Sequence, residues 1–267
     1  MSLRSLQLLQ LEILGYFMHL AGQHKLRYFV TGGTLLGAVR HGGFIPWDDD
    51  IDIAMPRPDF ERLAAIMRSH ASVDRTWSDC RTSSDYPFVY AKLGLAGTQY
   101  HEYRTEHLSM PHTVAIDIFP LDGVPLNGAL RFLHRIACRL LQLRIGSGSR
   151  RTWIRSALVR LLTVLPRSWA VWSYERVVSS VPYDRSTLVA NVAGLSGYTR
   201  NVVPRSWFGQ VVYLPFESLL VAAPAMWDEY LRQIYHDYMS LPPEELQHSL
   251  HEARWELGPR GDEGLTG

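Results

Sequence analysis

Four aspartates fall within five positions of this 267-residue chain, Asp48-Asp49-Asp50-Ile51-Asp52, and charges of one sign held that close repel unless something compensates them. If Asp50-Ile51-Asp52-Ile53 forms a strand, its side chains alternate, so Asp50 and Asp52 share one face while Ile51 and Ile53 are buried on the other. Two carboxylates side by side make a hard, oxygen-rich site suited to Mg2+ or Mn2+, with water and phosphate oxygens filling the remaining positions. Asp48 can assist from the same run. The competing reading is a solvated acidic loop, because aspartates also gather in turns.

Upstream, the apolar run Tyr28-Phe29-Val30 passes through Thr31-Gly32-Gly33-Thr34 into a helix-compatible segment. Glycines let backbone amides approach an anion closely, and a helix N-terminus adds partial positive charge, so Gly32, Gly33 and Thr34 are candidate phosphate-binding residues, with Thr34 the expected N-cap. A third acid is offered by Val114-Ala115-Ile116-Asp117-Ile118-Phe119, a predicted buried strand stopped by Pro120 and an Asp122-Gly123 turn. A charge between two isoleucines is costly unless it meets a cation or accepts hydrogen bonds, which makes Asp117 the third site residue and leaves Asp122 to the turn. Arg40 and His41 follow the Gly-Gly helix and stand close to the acids in sequence, so they are candidates to meet substrate phosphate. Lys92, one of two lysines, joins them from a predicted strand over Phe88–Leu93, with an exposed lysine as the plainer alternative. His101, Glu102, His107 and His112 match no zinc spacing and stay outside the site.

The stretch Gly32 to Asp52, Gly-Gly-Thr-Leu-Leu-Gly-Ala-Val-Arg-His-Gly-Gly-Phe-Ile-Pro-Trp-Asp-Asp-Asp-Ile-Asp, resembles the signature of the LicD family, which includes bacterial phosphocholine transferases and fukutin-type ribitol-phosphate transferases. Ile116–Gly123 and Tyr235-His236-Asp237-Tyr238 to Pro243 are similar to further LicD blocks, so the resemblance runs from near Tyr28 to near His251. It implies a nucleotidyltransferase-type fold, with a Gly-Gly turn, two alternating acids and a third acid on a later strand. It also implies transfer of a phosphoryl-alcohol group, foremost phosphocholine from CDP-choline, to a sugar hydroxyl of a lipopolysaccharide, teichoic acid or capsule precursor. On that reading Asp50 and Asp52 hold one or two divalent metals with help from Asp48, and Asp117 completes the metal site or accepts the proton of the attacking hydroxyl. Two departures fall away from the carboxylates: His236 stands where the family has glycine in Tyr-Gly-Asp, and Ser218 follows Phe216-Glu217 where the family has Phe-Glu-Gly.

These residues need elements to position them. Met1 to His24 reads as an amphipathic helix with Leu3, Leu6, Leu9, Ile13, Phe17 and Leu20 on one side; it is too polar for a signal peptide or a membrane span. After Pro56-Arg57-Pro58, a helix opens at Asp59. Strand, helix, acidic strand and helix in succession give an α+β (mixed α/β) fold, in which the resemblance places a small mixed sheet flanked by helices with helical additions. The stretch from Leu130 to Val178 repeats arginine among Leu, Ile, Val and Trp, with no acid before Glu175, and reads either as helices covering the sheet or as a surface that docks on an anionic membrane. Residues 1–125 are expected to form the catalytic core, 126–185 a basic helical insertion, 186–257 an acceptor-side segment packed on the core with a helix over Pro224–Met239, and 258–267 a disordered tail.

With 46% hydrophobic residues the chain can bury a sizeable core, and a net charge of +1 argues against a dedicated nucleic-acid binder. Cys80 and Cys138 form no metal or redox spacing. The expected partners are a CDP-alcohol donor and a glycan or lipid-linked glycan acceptor, and the expected location is cytoplasmic, peripheral at the inner face of a membrane. Two rivals remain: a nucleotidyltransferase releasing pyrophosphate from a triphosphate, which only the transferred group distinguishes, and an inactive membrane-associated scaffold, which a complete set of acids argues against.

Overall fold

The computed structural model describes residues 2–69, 73–146, 164–194, 197–249 and 253–257. The acidic segment and the Asp117 segment become neighbouring parallel strands, β2 (Asp52–Pro56) and β6 (Ala115–Val124), with Asp52 opposite Asp117. Both carry unbroken apolar runs; Ile53, Ala54, Met55, Ile116 and Ile118 are fully buried, as strands covered on both faces require. Around this pair the sheet runs β1-β2-β6-β4-β3, where β1 is Phe29–Val30, β3 Arg75–Ser78 and β4 Ala91–Leu95, every other pairing being antiparallel. β7 (Leu188–Asn191) pairs with the second half of β6, and β8 (Val202–Pro204) pairs with β7. The expected mixed α+β architecture is observed.

Several boundaries differ from the sequence reading. β6 runs straight through Pro120, and Asp122 lies inside it instead of in a turn. Asp117 donates its amide to Ile51 of the β2 side, so alternation points the ring nitrogen of Pro120 to the other side. There β4 has ended, at Ile118, and β7 begins only at Leu121, so no ladder bond is lost. β2 starts at Asp52, leaving Asp50 in the extended lead-in, and β4 starts at Ala91 instead of Phe88. Helix α3 (Arg57–Ser69) follows β2 without an intervening turn.

Helix α1 (Leu3–Gln23) confirms the amphipathic reading and packs against β4 and β6. Leu6, Ile13, Leu14 and Phe17 are fully buried, each such burial being worth about 1.5–3 kcal/mol, so packing rather than propensity holds the helix. Helix α2 (Gly32–His41) joins β1 to the acidic segment. Between β4 and β6 lies β5 (Thr98–Glu102), paired with the late strand β11 (Ala253–Leu257). Helices α4 (Gly128–Ile145) and α5 (Arg167–Val178) pack on each other over a second core of Val124, Cys138, Ala170 and Tyr174 behind β6 and β7. Arg150, Arg151, Arg155, Arg160 and the 258–267 tail lie outside the described residues. The chain continues through the short α6 (Tyr198–Asn201), the hairpin β9 (Val211–Phe216) and β10 (Leu219–Pro224), and α7 (Trp227–Tyr235), which is shorter than the helix expected from Pro224 to Met239.

Asp122 is 1% exposed, and both its oxygens accept from the Arg57 guanidinium at 2.7 Å, fixing the start of α3 to β6. Asp122→Ala is expected to lower stability by about 3 kcal/mol, because a nearly buried arginine loses its bidentate partner and keeps only Glu61. Urea unfolding reads this directly; a loss well under 1 kcal/mol would refute it.

Candidate functional site

Alternation holds through the acidic segment although only its end is laddered: Asp48, Asp50 and Asp52 are half-exposed, while Asp49, Ile51 and Ile53 are buried. Asp49 turns inward, where Tyr100 donates to its carboxylate at 3.0 Å and Gln10 donates to its carbonyl at 2.7 Å. Gln7 likewise donates to the Asp48 carbonyl. Two glutamines on the apolar face of α1 therefore hold the acidic backbone in place. Their spacing of three within an apolar stripe is the sequence signal for this restraint.

The Gly-Gly turn is built to receive carboxylates. Gly32 opens α2 with φ +55, and a Cβ there would fall 2.2 Å from Asp52 Oδ2; a Cβ on Gly33 would fall 2.6 Å from Asp48 Oδ2. Two acids thus lie against a helix N-terminus, where the helix dipole favours negative charge. Thr31 is the N-cap, and Thr34 sits one turn inside, its hydroxyl accepting from the Asp52 amide at 2.8 Å; the expectation of Thr34 as N-cap is corrected. Thr31 Oγ1 and the Tyr230 hydroxyl are 2.6 Å apart, which ties α7 to the same turn.

Asp117, 6% exposed, accepts from Lys92 Nζ at 2.8 Å, and its charge adds to the burial that raises the Tyr90 phenol well above its ordinary pKa. Lys92 stands directly across the ladder from Asp117 and also reaches Glu102 at 3.3 Å. Burial opposes the Lys92 charge, yet Asp117 and Glu102 raise its pKa well above the ordinary value. Lys92 therefore serves the acids within the fold, and the expectation that Glu102 stays outside the site is corrected, because it shares Lys92 with Asp117. Desolvation pushes the Asp52 carboxyl well above its ordinary range, the charges of Asp50, Asp117 and Asp48 push further, and Lys92 only partly opposes them. Tyr235, 38% exposed at the end of α7, has its phenol raised by desolvation on its inner side and then by Asp52, Tyr230, Asp48 and Asp50, so it borders the acids.

Arg40 and His41 are not brought to the carboxylates: they occupy the far end of α2, about 10 Å along the axis from Gly33. There Arg40 donates to the carbonyls of Tyr238 at 2.8 Å and Ser240 at 3.4 Å. The late block carries His236 at the C-cap of α7, with a φ of +60 and ψ of −110 that suit glycine. Ser218 avoids such a conformation; in that hairpin the positive φ falls on Glu217. Glu217 binds Arg4 through both oxygens and accepts from the Phe44 amide.

Among the described residues no three His, Cys, Asp or Glu side chains are grouped so as to hold an ion by themselves. The donor chemistry nonetheless suits Mg2+, which is commonly bound through one or two carboxylates while phosphate and water complete the octahedron. The strained protonation of Asp52 marks where positive charge is wanted.

Residues 25–129 match the family described as LicD/FKTN/FKRP, nucleotidyltransferase domain. The lipopolysaccharide cholinephosphotransferase LicD of Haemophilus influenzae is 30% identical over 269 aligned residues, covering 95% of this chain and 98% of that protein. The chain belongs to the LicD family. Human ribitol 5-phosphate transferase FKRP is 57% identical over 30 residues, 11% of this chain and 6% of FKRP, and an uncharacterized Rickettsia prowazekii protein is 37% identical over 76 residues, 26% of this chain and 29% of its own. The LicD likeness runs nearly end to end.

Two expectations follow. With chelator present, Asp52→Asn should melt higher than the wild type at pH 7. A carboxyl whose folded pKa is raised costs stability progressively as pH climbs past the unfolded value, and the whole cost is present above the folded pKa. The gap in melting temperature should therefore widen from acid to neutral pH; a constant gap, or a less stable variant, contradicts it. His236→Gly should raise stability by about 1 kcal/mol, the relieved strain exceeding the extra entropy of an unfolded glycine, read as a shifted urea midpoint at unchanged slope.

Proposed function

We propose that this LicD-family chain is a transferase that moves a phosphoryl-alcohol group from a CDP-alcohol to a sugar hydroxyl of a cell-surface glycan, with CDP-choline the favoured donor. The observation that carries the reading is the register of Asp52 with Asp117 on adjacent parallel strands, set against the Gly32-Gly33 helix terminus. The family relation supplies the chemical class, and the full-length likeness to a cholinephosphotransferase favours choline over ribitol. A glycan precursor carried on lipid is the acceptor the reading favours, in lipopolysaccharide, teichoic acid or capsule synthesis.

In the proposed reaction the acceptor oxygen attacks the phosphorus bearing the alcohol, the bond from that phosphorus to the bridging oxygen breaks, and CMP leaves. Asp50 and Asp52, with Asp48 beside them, would hold a divalent cation, whose positive charge would screen the diphosphate and the leaving group. Gly32 and Gly33 let Asp52 and Asp48 lie against the α2 terminus while Thr34 holds the Asp52 amide, and the donor phosphates would approach that terminus beside the acids. Lys92 orients Asp117, which faces the same centre and takes the hydroxyl proton or adds a ligand. Because Asp52 holds its proton unusually tightly, protons and the cation compete for the same oxygens, so metal affinity should fall as pH drops.

Purified protein incubated with Mg2+ and CDP-choline, CDP-ribitol, CDP-glycerol, CTP or ATP should release CMP from one CDP-alcohol when acceptor is supplied. Asp50→Asn and Asp52→Asn should each lower that release by about 100-fold or more while remaining folded. Pyrophosphate from a triphosphate would instead establish nucleotidyl transfer, and full activity in either variant would sink the assigned roles.

A further inference from the structure

Helix α4 turns a narrow side inward. Its buried positions are His134, Cys138 and Ile145, while at about 100° per residue the opposite side carries Phe132, Leu133, Ile136, Leu140 and Leu143. Leu133 is 61% exposed, Phe132 54% and Ile136 41%, so an apolar stripe faces outward, where a helix that merely covers a sheet would be polar. On α5, Trp169 and Trp172 are exposed one turn apart, and an open cleft lined by Leu130 and Leu133 of α4 and Arg176 of α5 makes the surface continuous. A contiguous apolar surface of this kind marks an interaction site.

Charge selects the partner. Arg131, Arg135 and Arg139 recur at every fourth position along one edge of the stripe, and Arg135 and Arg176 lie over the rings of Phe132 and Trp172 at 5.0 and 5.1 Å. No acid occurs between Asp122 and Glu175. A second copy of the chain would bring two arginine-edged faces together, which like charges disfavour. A bilayer with anionic headgroups satisfies both halves: leucine, phenylalanine and tryptophan enter the headgroup–acyl boundary, and the arginines meet lipid phosphates. Among the described residues no helix is long and apolar enough to cross a membrane, so contact through this face would be lateral. We propose that the outward face of α4, continued by Trp169 and Trp172, seats the protein on an anionic lipid surface.

The docking is independent of the transfer reaction and is read without donor or acceptor. The full chain is sedimented with phosphatidylcholine vesicles lacking or containing about 30% phosphatidylglycerol. It should pellet with the anionic vesicles, weakly with the neutral ones, and less as salt is raised. Arg131→Gln and Arg135→Gln should each weaken binding about fivefold. Leu133→Asp with Ile136→Asp should abolish it, while the far-UV spectrum and unfolding midpoint stay near wild type because both side chains are exposed. Absence of vesicle binding would overturn the proposal, as would equal binding to both compositions. Self-association removed by the same double substitution, without vesicle binding, would overturn it too and assign the face to a second copy.

Discussion

The structure depends on a repulsion that it does not relieve. Pairing β2 with β6 in parallel sets Asp52 beside Asp117, and the lead-in adds Asp48 and Asp50 to the same side. In a sheet buried on both faces such a group is expensive, and the fold counters it with Lys92 across the ladder and with a helix terminus laid against two of the acids. Neither cancels the charge at Asp52. Much of what surrounds the acids is explained as backbone restraint: Gln7 and Gln10 grip the segment from α1, Tyr100 fixes the one acid that faces inward, and Tyr230 closes the turn from α7. A site kept electrostatically unsatisfied must be held by its neighbours, and here these restraints come from three separate elements, α1, β5 and α7.

The acids and glycines were legible in the sequence because their chemistry is local. Like charges at alternating positions and a paired glycine before a helix carry their meaning in a few residues, and α1 was readable from its repeat alone. Strand ends were less legible. Proline and Asp-Gly normally stop a strand, but at Pro120 the absent N–H falls where β6 changes partners, a fact of topology that no window of sequence contains. Arg40 illustrates a related point: it lies eight residues before Asp48, yet α2 sets it seven residues along the axis from Gly33, and a helix turns that interval into separation. Lys92 was placed on a strand and near phosphate, but its cross-strand partner Asp117 could be known only from register. The Arg-rich stretch is expected to turn its arginines outward; the structure adds that Leu130, Phe132, Leu133 and Ile136 face outward as well.

His236 shows the converse case, a residue whose oddity appears only when backbone geometry and sequence are combined. The chain keeps the turn that glycine would adopt and places a histidine in it, with the side chain exposed. Ser218 looks like the same kind of replacement in sequence but bears no such burden, since the hairpin moves the positive φ to Glu217. Two similar departures thus have different physical weight.

The tie between Arg4 and Glu217 joins positions 213 residues apart, and Thr31 and Tyr230 are separated by 199. During ribosomal synthesis, therefore, the Gly-Gly turn and the acids emerge long before the segments that close over them. An incomplete chain would carry the acids with a wall missing, and closure must wait for contacts of the longest loop length the molecule makes, the kind that form slowly. The arrangement makes the Gly-Gly turn depend on chain synthesised long after it: α7 supplies the Tyr230 hydroxyl to a threonine made 199 residues earlier.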